Sequence, residues 1–209
     1  MTGAGDSYGG YRARLVETLR AHGIQDLAVL RAFADTPRHR FVPAAQHHRA
    51  YEDVALPIAG GQTISRPLTQ ARYLEALRLT GHERVLEVGT GSGYQTALLA
   101  AVAAQVFSVE RVRALAEAAQ RTLRELGLAN VSLLVGDGTL GWSTYAPYDA
   151  ILVAAGGPEV PPPLVEQLAP GGRLLIPLGA EAGGQVLTLI ERTADGVRRT
   201  SQRNGHTVS

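Results

Sequence analysis

The amino-acid sequence predicts an α/β fold, in which a doubly wound, mostly parallel sheet follows a group of N-terminal helices. Three observations support this prediction. Short apolar runs with strand composition alternate with helical patterns from Arg84 onward. Several of these runs are almost continuously apolar, which is typical of parallel strands covered on both faces. A glycine-rich turn joins the first run directly to a helix, and such sheets bind ligands at the carboxyl ends of their strands.

The N-terminal part carries helical patterns on both sides of a long irregular segment. Apolar residues recur at helical spacing in residues 15–24 and 27–33, which predicts two short amphipathic helices. Residues 38–66 contain prolines and a glycine pair but few periodic apolar residues, so we predict a long loop there. Loops of this length in compact domains usually carry function. Pro67 suits the first turn of a third helix.

The alternating part begins at Arg84. We predict strands at 85–88, 106–110, 131–136, 149–154, 173–178 and 185–192, and helices at 94–103, 111–126 and 163–168. The pair Asp195-Gly196 is a hairpin signal after the last strand.

The length of 209 residues allows one well-buried domain but not two independent cores. We therefore predict a single domain over residues 1–209. Its parts are residues 1–80 with the N-terminal helices and the long loop, residues 81–195 with the cofactor-binding sheet, and an atypical C-terminal tail at 196–209.

Composition excludes several classes of function. The formal net charge of +1 provides no strong field for nucleic acid or an anionic membrane, so we predict neither partner. No Cys is present, which excludes disulfides, thiolate nucleophiles and Cys-ligated metals. His47 and His48 are adjacent and lack a third ligand at a suitable interval, so no metal site is predicted. The polar start and the absence of 18 consecutive apolar residues predict a cytoplasmic protein.

The glycine turn narrows the choice of cofactor. Gly89, Gly91 and Gly93 can turn the chain sharply and let backbone N–H groups approach a ligand at a helix start. The spacing is GxGxG, because Tyr94 stands where a dinucleotide-binding turn carries its third glycine. This spacing favours S-adenosylmethionine over a pyrophosphate cofactor, and it argues against an NAD-dependent dehydrogenase. A purely structural glycine turn stays open as an alternative.

Acidic residues end the next two predicted strands at the same edge of the sheet. Glu110 lies 21 residues beyond Gly89, close to the usual interval for a carboxylate that accepts both hydroxyls of a ribose. Its alternative role is to cap the helix that follows. Asp137 can accept the exocyclic amine of adenine, and the pair Asp137-Gly138 is also a turn former. These two readings of Asp137 are compatible.

The long loop offers hydroxyl donors shortly before the third helix. Thr63 and Ser65 lie near a helix start, where backbone N–H groups also favour a carboxylate. The alternative is that Ser65 is only an N-cap, two residues before Pro67.

Several segments, in order along the chain, resemble the protein-L-isoaspartate O-methyltransferase family. They are Arg38-His-Arg-Phe-Val-Pro43, Ala50-Tyr-Glu-Asp-Val-Ala-Leu-Pro-Ile58, Gly61-Gln-Thr-Ile-Ser65, residues 85–94, Val135-Gly-Asp-Gly-Thr-Leu-Gly-Trp142, Ala146-Pro-Tyr-Asp149, Pro158-Glu-Val-Pro161 and residues 168–179. The resemblance covers roughly residues 28–192, and its Gln-Thr-Ile-Ser element is far more specific than any glycine turn.

The resemblance implies the Rossmann-like fold of class I S-adenosylmethionine-dependent methyltransferases. It also implies an activity: methylation of the free α-carboxylate of L-isoaspartyl residues in damaged proteins, after which the ester collapses to a succinimide and the site can be repaired. Ser65 would be the active-site serine, in a loop that closes over cofactor and substrate. The implied cofactor contacts are Gln62, Thr63, Ile64, Ser65, Gln70, Glu87, Val88, Gly89, Thr90, Gly91, Ser92, Gly93, Glu110, Asp137 and Gly138.

Two departures from the family pattern leave alternatives open. The family often continues Ser-x-Pro-His or Ser-x-Pro-Tyr, whereas this chain has Arg66 and Gln70 near the expected site, and Arg66 is either a partner for a substrate carboxylate or an exposed residue. The C-terminal tail lacks the usual Phe-Val-Pro-like strand. One alternative is a specialised homologue that methylates an aspartate of a ribosomally made peptide, and another is a non-catalytic S-adenosylmethionine-binding module. We predict a monomer that acts on isoaspartyl proteins or peptides.

Overall fold

The computed structural model describes residues 7–179, 185–203 and 206–208. Three helices precede the sheet: α1 (Gly9–Ala21), α2 (Leu27–Asp35) and α3 (Pro67–Leu77). The N-terminus of α2 is capped by Asp26, whose carboxylate accepts hydrogen bonds from the N–H groups of residues 28 and 29. The two predicted N-terminal helices are therefore confirmed.

The segment between α2 and α3 is irregular, as predicted, but it is not without structure. It contains 3₁₀ turns at Arg38–Phe41, Ala44–Arg49 and Ala59–Gly61. It also forms a small hairpin of β1 (Leu56–Pro57) and β2 (Thr63–Ile64). These elements are too short to produce a periodic apolar pattern, which is why the sequence predicts only a loop.

The main sheet has eight strands in the described residues, in the order β5-β4-β3-β6-β7-β8-β9-β10. Strands β3 to β7 are parallel to one another, whereas β8 is antiparallel to β7, β9 to β8, and β10 to β9. The strands are β3 (Arg84–Val88), β4 (Gln105–Glu110), β5 (Val131–Val135), β6 (Tyr148–Val153), β7 (Leu168–Leu178), β8 (Val186–Thr193), β9 (Gly196–Arg203) and β10 (His206–Val208). The helices that cover them are α4 (Tyr94–Val102), α5 (Arg113–Glu125) and α6 (Pro162–Glu166).

Alternate residues of each central strand enter two different cores, because successive side chains point to opposite faces of a sheet. Val85 of β3 and Val106 of β4 belong to the core beneath the N-terminal helices, α4 and α5. Leu86 and Phe107 belong to the core on the opposite face, beneath α6. The central strands β3, β4 and β6 are therefore buried on both faces, which explains their near-continuous apolar runs. Strand β5 is an edge strand without a buried residue, which corrects the prediction that it is covered on both faces. Among the described helices, none combines the length and apolar character that a membrane crossing requires.

The order of strands reverses at β3, and this reversal determines where a ligand can bind. The chain passes from β3 outward through β4 to β5, then crosses to the other side of β3 to form β6. The connection that leaves β3 therefore leads to α4 on one face of the sheet, whereas the connection that leaves β6 leads to α6 on the opposite face. Open α/β sheets bind ligands in the crevice at this point.

Two parts of the sheet differ from the prediction. Strand β7 begins at Leu168 instead of 173, and its glycine pair lies inside the strand, where the register with β6 shifts between Tyr148 and Ala150. The predicted C-terminal tail forms β9 and β10, while residues 204–205 and 209 lie outside the described residues. Strand β9 is polar and alternates weakly, so its pairing depends on contacts with β8, such as the ion pair between Arg198 and Glu191 at 2.6 Å.

Candidate functional site

The glycine turn between β3 and α4 requires glycine at three positions. Gly89, Gly91 and Gly93 have φ angles of 97°, 54° and 86°, in the left-handed region where only glycine is unstrained. A methyl group built on Gly93 would lie 3.0 Å from the Cβ atom of Ala119 in α5, so a larger residue would also crowd the neighbouring helix. The turn therefore holds its backbone N–H groups at the start of α4, beside the crevice at the carboxyl ends of β3 and β6.

Glu110 lies at the end of β4 and is joined directly to the glycine turn. Its Oε2 atom accepts a hydrogen bond from the Gly91 N–H at 2.9 Å, and its Oε1 atom accepts one from the Val112 N–H at 2.9 Å. Helix α5 begins at Arg113, so the second bond orients the residues that lead into the helix. A carboxylate has about four lone-pair positions, so two remain for a vicinal diol.

Asp137 and Gly138 follow β5, the neighbour of β4. The Oδ1 atom of Asp137 accepts hydrogen bonds from the N–H and the hydroxyl of Thr139, at 2.9 Å and 2.7 Å. These bonds lower the pKa of Asp137, so it is ionised at neutral pH. The predicted Asp-Gly turn is confirmed. Gly138 packs so closely that a methyl group there would lie 2.3 Å from the Cγ1 atom of Val88.

The hairpin of β1 and β2 lies beside the glycine turn. A methyl group built on Gly91 would lie 3.9 Å from the Cδ1 atom of Ile58, and one on Gly60 would lie 3.7 Å from Leu115 of α5. Gln62 and Thr63 are exposed, whereas Ile64 is buried in the core. The structure thus brings the long loop to the glycine turn, but it turns the Ile64 side chain inward. Ile64 stays a predicted cofactor contact, and because its side chain is buried, such a contact would come from its main chain.

Ser65 connects β2 to α3 and does not cap the helix. The N-cap position is Arg66, and the N–H of Leu68 donates instead to the Asp53 carboxylate at 2.8 Å. Arg66 also pairs with Asp53, with its Nε atom 3.1 Å from Oδ2. The alternative reading of Ser65 as an N-cap is therefore wrong, since a carboxylate from another part of the loop performs that task.

The chain is similar to known proteins over almost its whole length. A model of the protein-L-isoaspartate(D-aspartate) O-methyltransferase family matches residues 11–207. The chain belongs to this family. The match includes most of the predicted C-terminal tail, so the polar strands β9 and β10 lie within the family's region of similarity.

Relatives at high identity carry the family's name. The protein-L-isoaspartate O-methyltransferase 1 of Anaeromyxobacter sp. is 56% identical over 186 residues, which are 88% of both chains. The protein-L-isoaspartate O-methyltransferase of Pseudomonas aeruginosa is 52% identical over 191 residues, 90% of this chain and 89% of the relative.

Solved structures agree in fold over almost the whole chain. A structure named protein-L-isoaspartate O-methyltransferase has a TM-score of 0.84 at 31% identity, over 95% of this chain and 65% of its own. A Plasmodium falciparum structure, described as a candidate member of the same family in complex with S-adenosyl-L-homocysteine, has a TM-score of 0.79 at 26% identity, over 95% of this chain and 97% of its own.

The residues at the sheet edge fit the cofactor of this methyltransferase family. The pre-oriented carboxylate of Glu110 suits the two hydroxyls of a ribose, because both of its oxygens are already held by backbone N–H groups. The three left-handed glycines leave no side chain between the turn and a ligand. Asp137 is exposed at the end of the adjacent strand. These are features of the chain itself, independent of its relatives.

Glu87 lies behind the turn, not on its ligand face. It is fully buried, and its Oε2 atom accepts hydrogen bonds from Thr96 at 2.5 Å and from Ser108 at 2.6 Å. The hydroxyl of Thr90, in the turn, lies 2.6 Å from that of Ser108. This corrects the prediction of Glu87 as a direct cofactor contact, because its side chain is enclosed and instead supports the turn from below.

Burial of Glu87 predicts a pH dependence of stability. Desolvation, together with the charge of Glu110, raises the pKa of Glu87 from 4.5 to about 7, against the hydrogen bonds from Ser108 and Thr96. The folded state thus keeps a proton that the unfolded state releases, so this stabilisation is complete below pH 4.5 and lost as the pH rises through about 7. At about 1.4 kcal/mol per pH unit, the change is on the order of 3 kcal/mol.

A Glu87→Gln variant tests this prediction, because glutamine stays neutral and keeps an acceptor for both hydroxyls. We expect the unfolding free energy of the variant, relative to the original protein, to increase between pH 5 and pH 8. Urea denaturation at pH 5, 6.5 and 8 measures the difference. A difference that does not change with pH would contradict the argument.

Arg38 is a residue of this region for which the sequence pattern predicts no role. It is fully buried, and its Nη1 atom donates to the Oε1 atom of Gln70 at 2.8 Å. Gln70 is therefore a partner of Arg38 beneath the loop, and its contact with the cofactor stays a prediction. Arg38 begins one of the family-like segments, but arginine is among the residue types that are rarely buried, so no local pattern predicts that it is enclosed beneath the loop.

Proposed function

We propose that the protein transfers the methyl group of S-adenosylmethionine to the free α-carboxylate of L-isoaspartyl residues in damaged proteins. A backbone amide nitrogen of the substrate then attacks the ester carbonyl and expels methanol, and the succinimide so formed is hydrolysed by water, in part to normal aspartate. The observation that carries the proposal is the position of the β1–β2 hairpin beside the glycine turn, because it brings the loop that contains the hydroxyl donors Thr63 and Ser65 to the candidate cofactor site. Membership of the isoaspartate methyltransferase family supports the same reaction.

On the cofactor side, the glycine turn would bind the methionine portion of S-adenosylmethionine, Glu110 the ribose hydroxyls, and Asp137 the adenine amine. The P. falciparum structure, solved with S-adenosyl-L-homocysteine, supports the choice of cofactor. When bound, S-adenosylmethionine supplies a methyl group activated by a sulfonium cation. The chain contributes orientation and a site shielded from water.

On the substrate side, the reaction needs no general base. The attacking α-carboxylate has a reference pKa of about 3.5 and is ionised at neutral pH. Ser65 would orient this carboxylate by donating a hydrogen bond, and the exposed Gln62 and Thr63 would lie along the same loop. Arg66 already pairs with Asp53, so we do not assign it to the substrate.

Methyl transfer to a matched pair of peptides tests the proposal. One peptide carries an isoaspartyl residue and the other carries aspartate at the same position. We expect transfer to the isoaspartyl peptide only. Transfer to neither peptide would remove the repair function and favour a dedicated peptide substrate, whereas binding of S-adenosylmethionine without transfer to any isoaspartyl substrate would favour a non-catalytic binding module.

A Ser65→Ala variant tests the role of the loop. Loss of one hydrogen bond to a charged carboxylate should lower kcat with the isoaspartyl peptide by about 10-fold or more. The affinity for S-adenosylhomocysteine, measured by calorimetry, should change by less than about 3-fold, since a single loop contact is lost. Ser143→Ala, in an exposed loop, is the matched control. Unchanged turnover of Ser65→Ala would remove Ser65 from the mechanism.

We further propose that the protein works as a single-domain monomer in the cytoplasm, without nucleic-acid or membrane partners. The formal net charge of +1 supports the last part, because it provides little attraction for polyanions. Sedimentation at several protein concentrations tests whether the protein is a monomer, and cell fractionation tests whether it lies in the cytoplasm.

A further inference from the structure

Arg38 is a buried cation whose hydrogen-bond acceptors among the described residues are neutral, while the negative charge of Asp53 acts on it from nearby. It lies in the 3₁₀ turn after α2 and has no exposed surface. Its Nη1 atom donates to the side chain of Gln70, and its Nη2 atom donates to the main-chain carbonyls of Ser65 at 2.9 Å and Val54 at 3.4 Å. Enclosing a guanidinium is costly unless its donors are used. The two Nη atoms have acceptors, whereas the buried Nε has none among the described residues, so the Nη contacts determine the orientation of the guanidinium.

The partners of Arg38 come from both halves of the candidate site. Ser65 and Gln70 flank the start of α3, on the side of the substrate loop. Tyr94 is the first residue of α4, directly after the glycine turn, and the guanidinium carbon lies 4.9 Å from the centre of its ring. Tyr94 is itself fully buried, so its ring is a fixed platform.

The Arg38 guanidinium therefore links the Ser65 carbonyl to Tyr94, the residue that follows the glycine turn. Asp53 holds the next part of the chain, through Arg66 and the N–H of Leu68. These two anchors lie on either side of the peptide bond after Ser65. Together they determine the main-chain orientation from which the Ser65 hydroxyl projects.

We propose that Arg38 is a positioning residue for methyl transfer: it connects the main chain of Ser65 to the ring of Tyr94 and so determines where the Ser65 hydroxyl meets the substrate carboxylate. The inference rests on the role proposed above for Ser65. It predicts that loss of Arg38 affects the chemical step more than the binding of cofactor, because the glycine turn and Glu110 are left in place.

The main test compares Arg38→Met with Arg40→Met. Arg40 belongs to the same 3₁₀ turn, but it is partly exposed and pairs with Glu125 on the surface. Because a displacement of about 1 Å can reduce a rate by about 100-fold, we expect Arg38→Met to lower kcat for the isoaspartyl peptide by about 30-fold or more. The Kd for S-adenosylhomocysteine should change by less than about 3-fold, and Arg40→Met should behave as the original protein.

A double variant separates positioning from general destabilisation. If Arg38 acts through Ser65, the effects of Arg38→Met and Ser65→Ala on kcat should not be independent, since coupled residues are not additive. The fold loss of kcat in the double variant should then be smaller, by a factor of at least about 5, than the product of the fold losses in the two single variants. Multiplicative losses, or a kcat loss that disappears when all variants are assayed well below their unfolding temperatures, would overturn the inference.

Gln70→Leu and Arg38→Lys provide the same test if Arg38→Met does not fold. The first removes one acceptor, and the second keeps the charge but cannot form the same planar set of bonds. Both should lower kcat while leaving S-adenosylhomocysteine affinity within about 3-fold, and normal kcat in both would overturn the inference.

Failure of the proposed function is a different result: the unmodified protein would then transfer no methyl group to the isoaspartyl peptide. An active protein whose Ser65→Ala variant has normal kcat would overturn the Ser65 role and, with it, this inference.

Discussion

Replacing Glu110 with glutamine is expected to weaken the binding of S-adenosylhomocysteine by about 100-fold, through the loss of two charge-assisted hydrogen bonds worth about 1.5 kcal/mol each. The carboxylate accepts the N–H groups of Gly91 and Val112 with separate oxygens, which aligns it for a diol. Glutamine has one acceptor oxygen, and its NH₂ group would face either a backbone N–H or a ribose hydroxyl. Isothermal titration calorimetry measures the change directly.

Glu117→Gln is the matched control for Glu110→Gln. Glu117 lies on the exposed face of α5, where it forms only a 3.9 Å contact with Arg113 one turn earlier. Its replacement should leave the affinity unchanged, because exposed pairs of this kind contribute little. If Glu110→Gln binds S-adenosylhomocysteine as tightly as the original protein, Glu110 does not recognise the ribose, and its function is limited to the turn.

Replacing Gly138 with alanine is expected to lower the unfolding temperature by about 5–10 °C. The added methyl group would lie 2.3 Å from the Cγ1 atom of Val88, far inside normal contact distance. Val88 is buried at the end of β3, and its β-branched side chain has few alternative rotamers. Overpacking of this kind costs about 1–3 kcal/mol, and each kcal/mol shifts the unfolding temperature of a chain of this size by about 2–4 °C.

Gly136→Ala provides a control only two residues away. A methyl group there would lie 3.7 Å from Leu134, an ordinary van der Waals distance. We expect scanning calorimetry without ligand to give this variant nearly the original unfolding temperature. Equal effects of the two substitutions would show that glycine flexibility, and not the contact with Val88, determines the stability of this turn.

The Gly138 variant should also affect ligand binding, because the clash lies between the ends of β3 and β5. Relief of the contact would move Asp137 relative to the glycine turn. We expect the Kd for S-adenosylhomocysteine to increase by about 10-fold, the effect of losing one hydrogen bond of about 1.4 kcal/mol. The stability and affinity changes thus have a single cause.

Local patterns were sufficient to predict much of this molecule. The parallel strands were predicted from their apolar runs, and the glycine turn was predicted from residues that only a left-handed backbone requires. Because parallel strands end at one edge of the sheet, the same patterns also brought Glu110 and Asp137 to that edge. Each of these features depends on residues that are close together in the sequence.

Other features depend on contacts between distant residues, and here the sequence predictions were incomplete or wrong. Glu87 precedes the glycine turn directly, yet burial among Thr96 and Ser108 makes it a support instead of a contact. Strand β9 has no apolar alternation of its own, and it forms because β8 offers partners. Pairing energy of this kind is absent from local composition.

The loop around Ser65 likewise has some features that depend on the local sequence and others that depend on contacts with distant residues. Its composition indicates hydroxyl donors near a helix start, but the capping carboxylate comes from Asp53 and the buried guanidinium from Arg38, 27 positions before Ser65 in the chain. A charged side chain becomes a fixed internal anchor only when folding surrounds it with acceptors from several segments. The identity of the Ser65 loop is thus encoded locally, whereas its orientation toward the glycine turn arises from long-range packing.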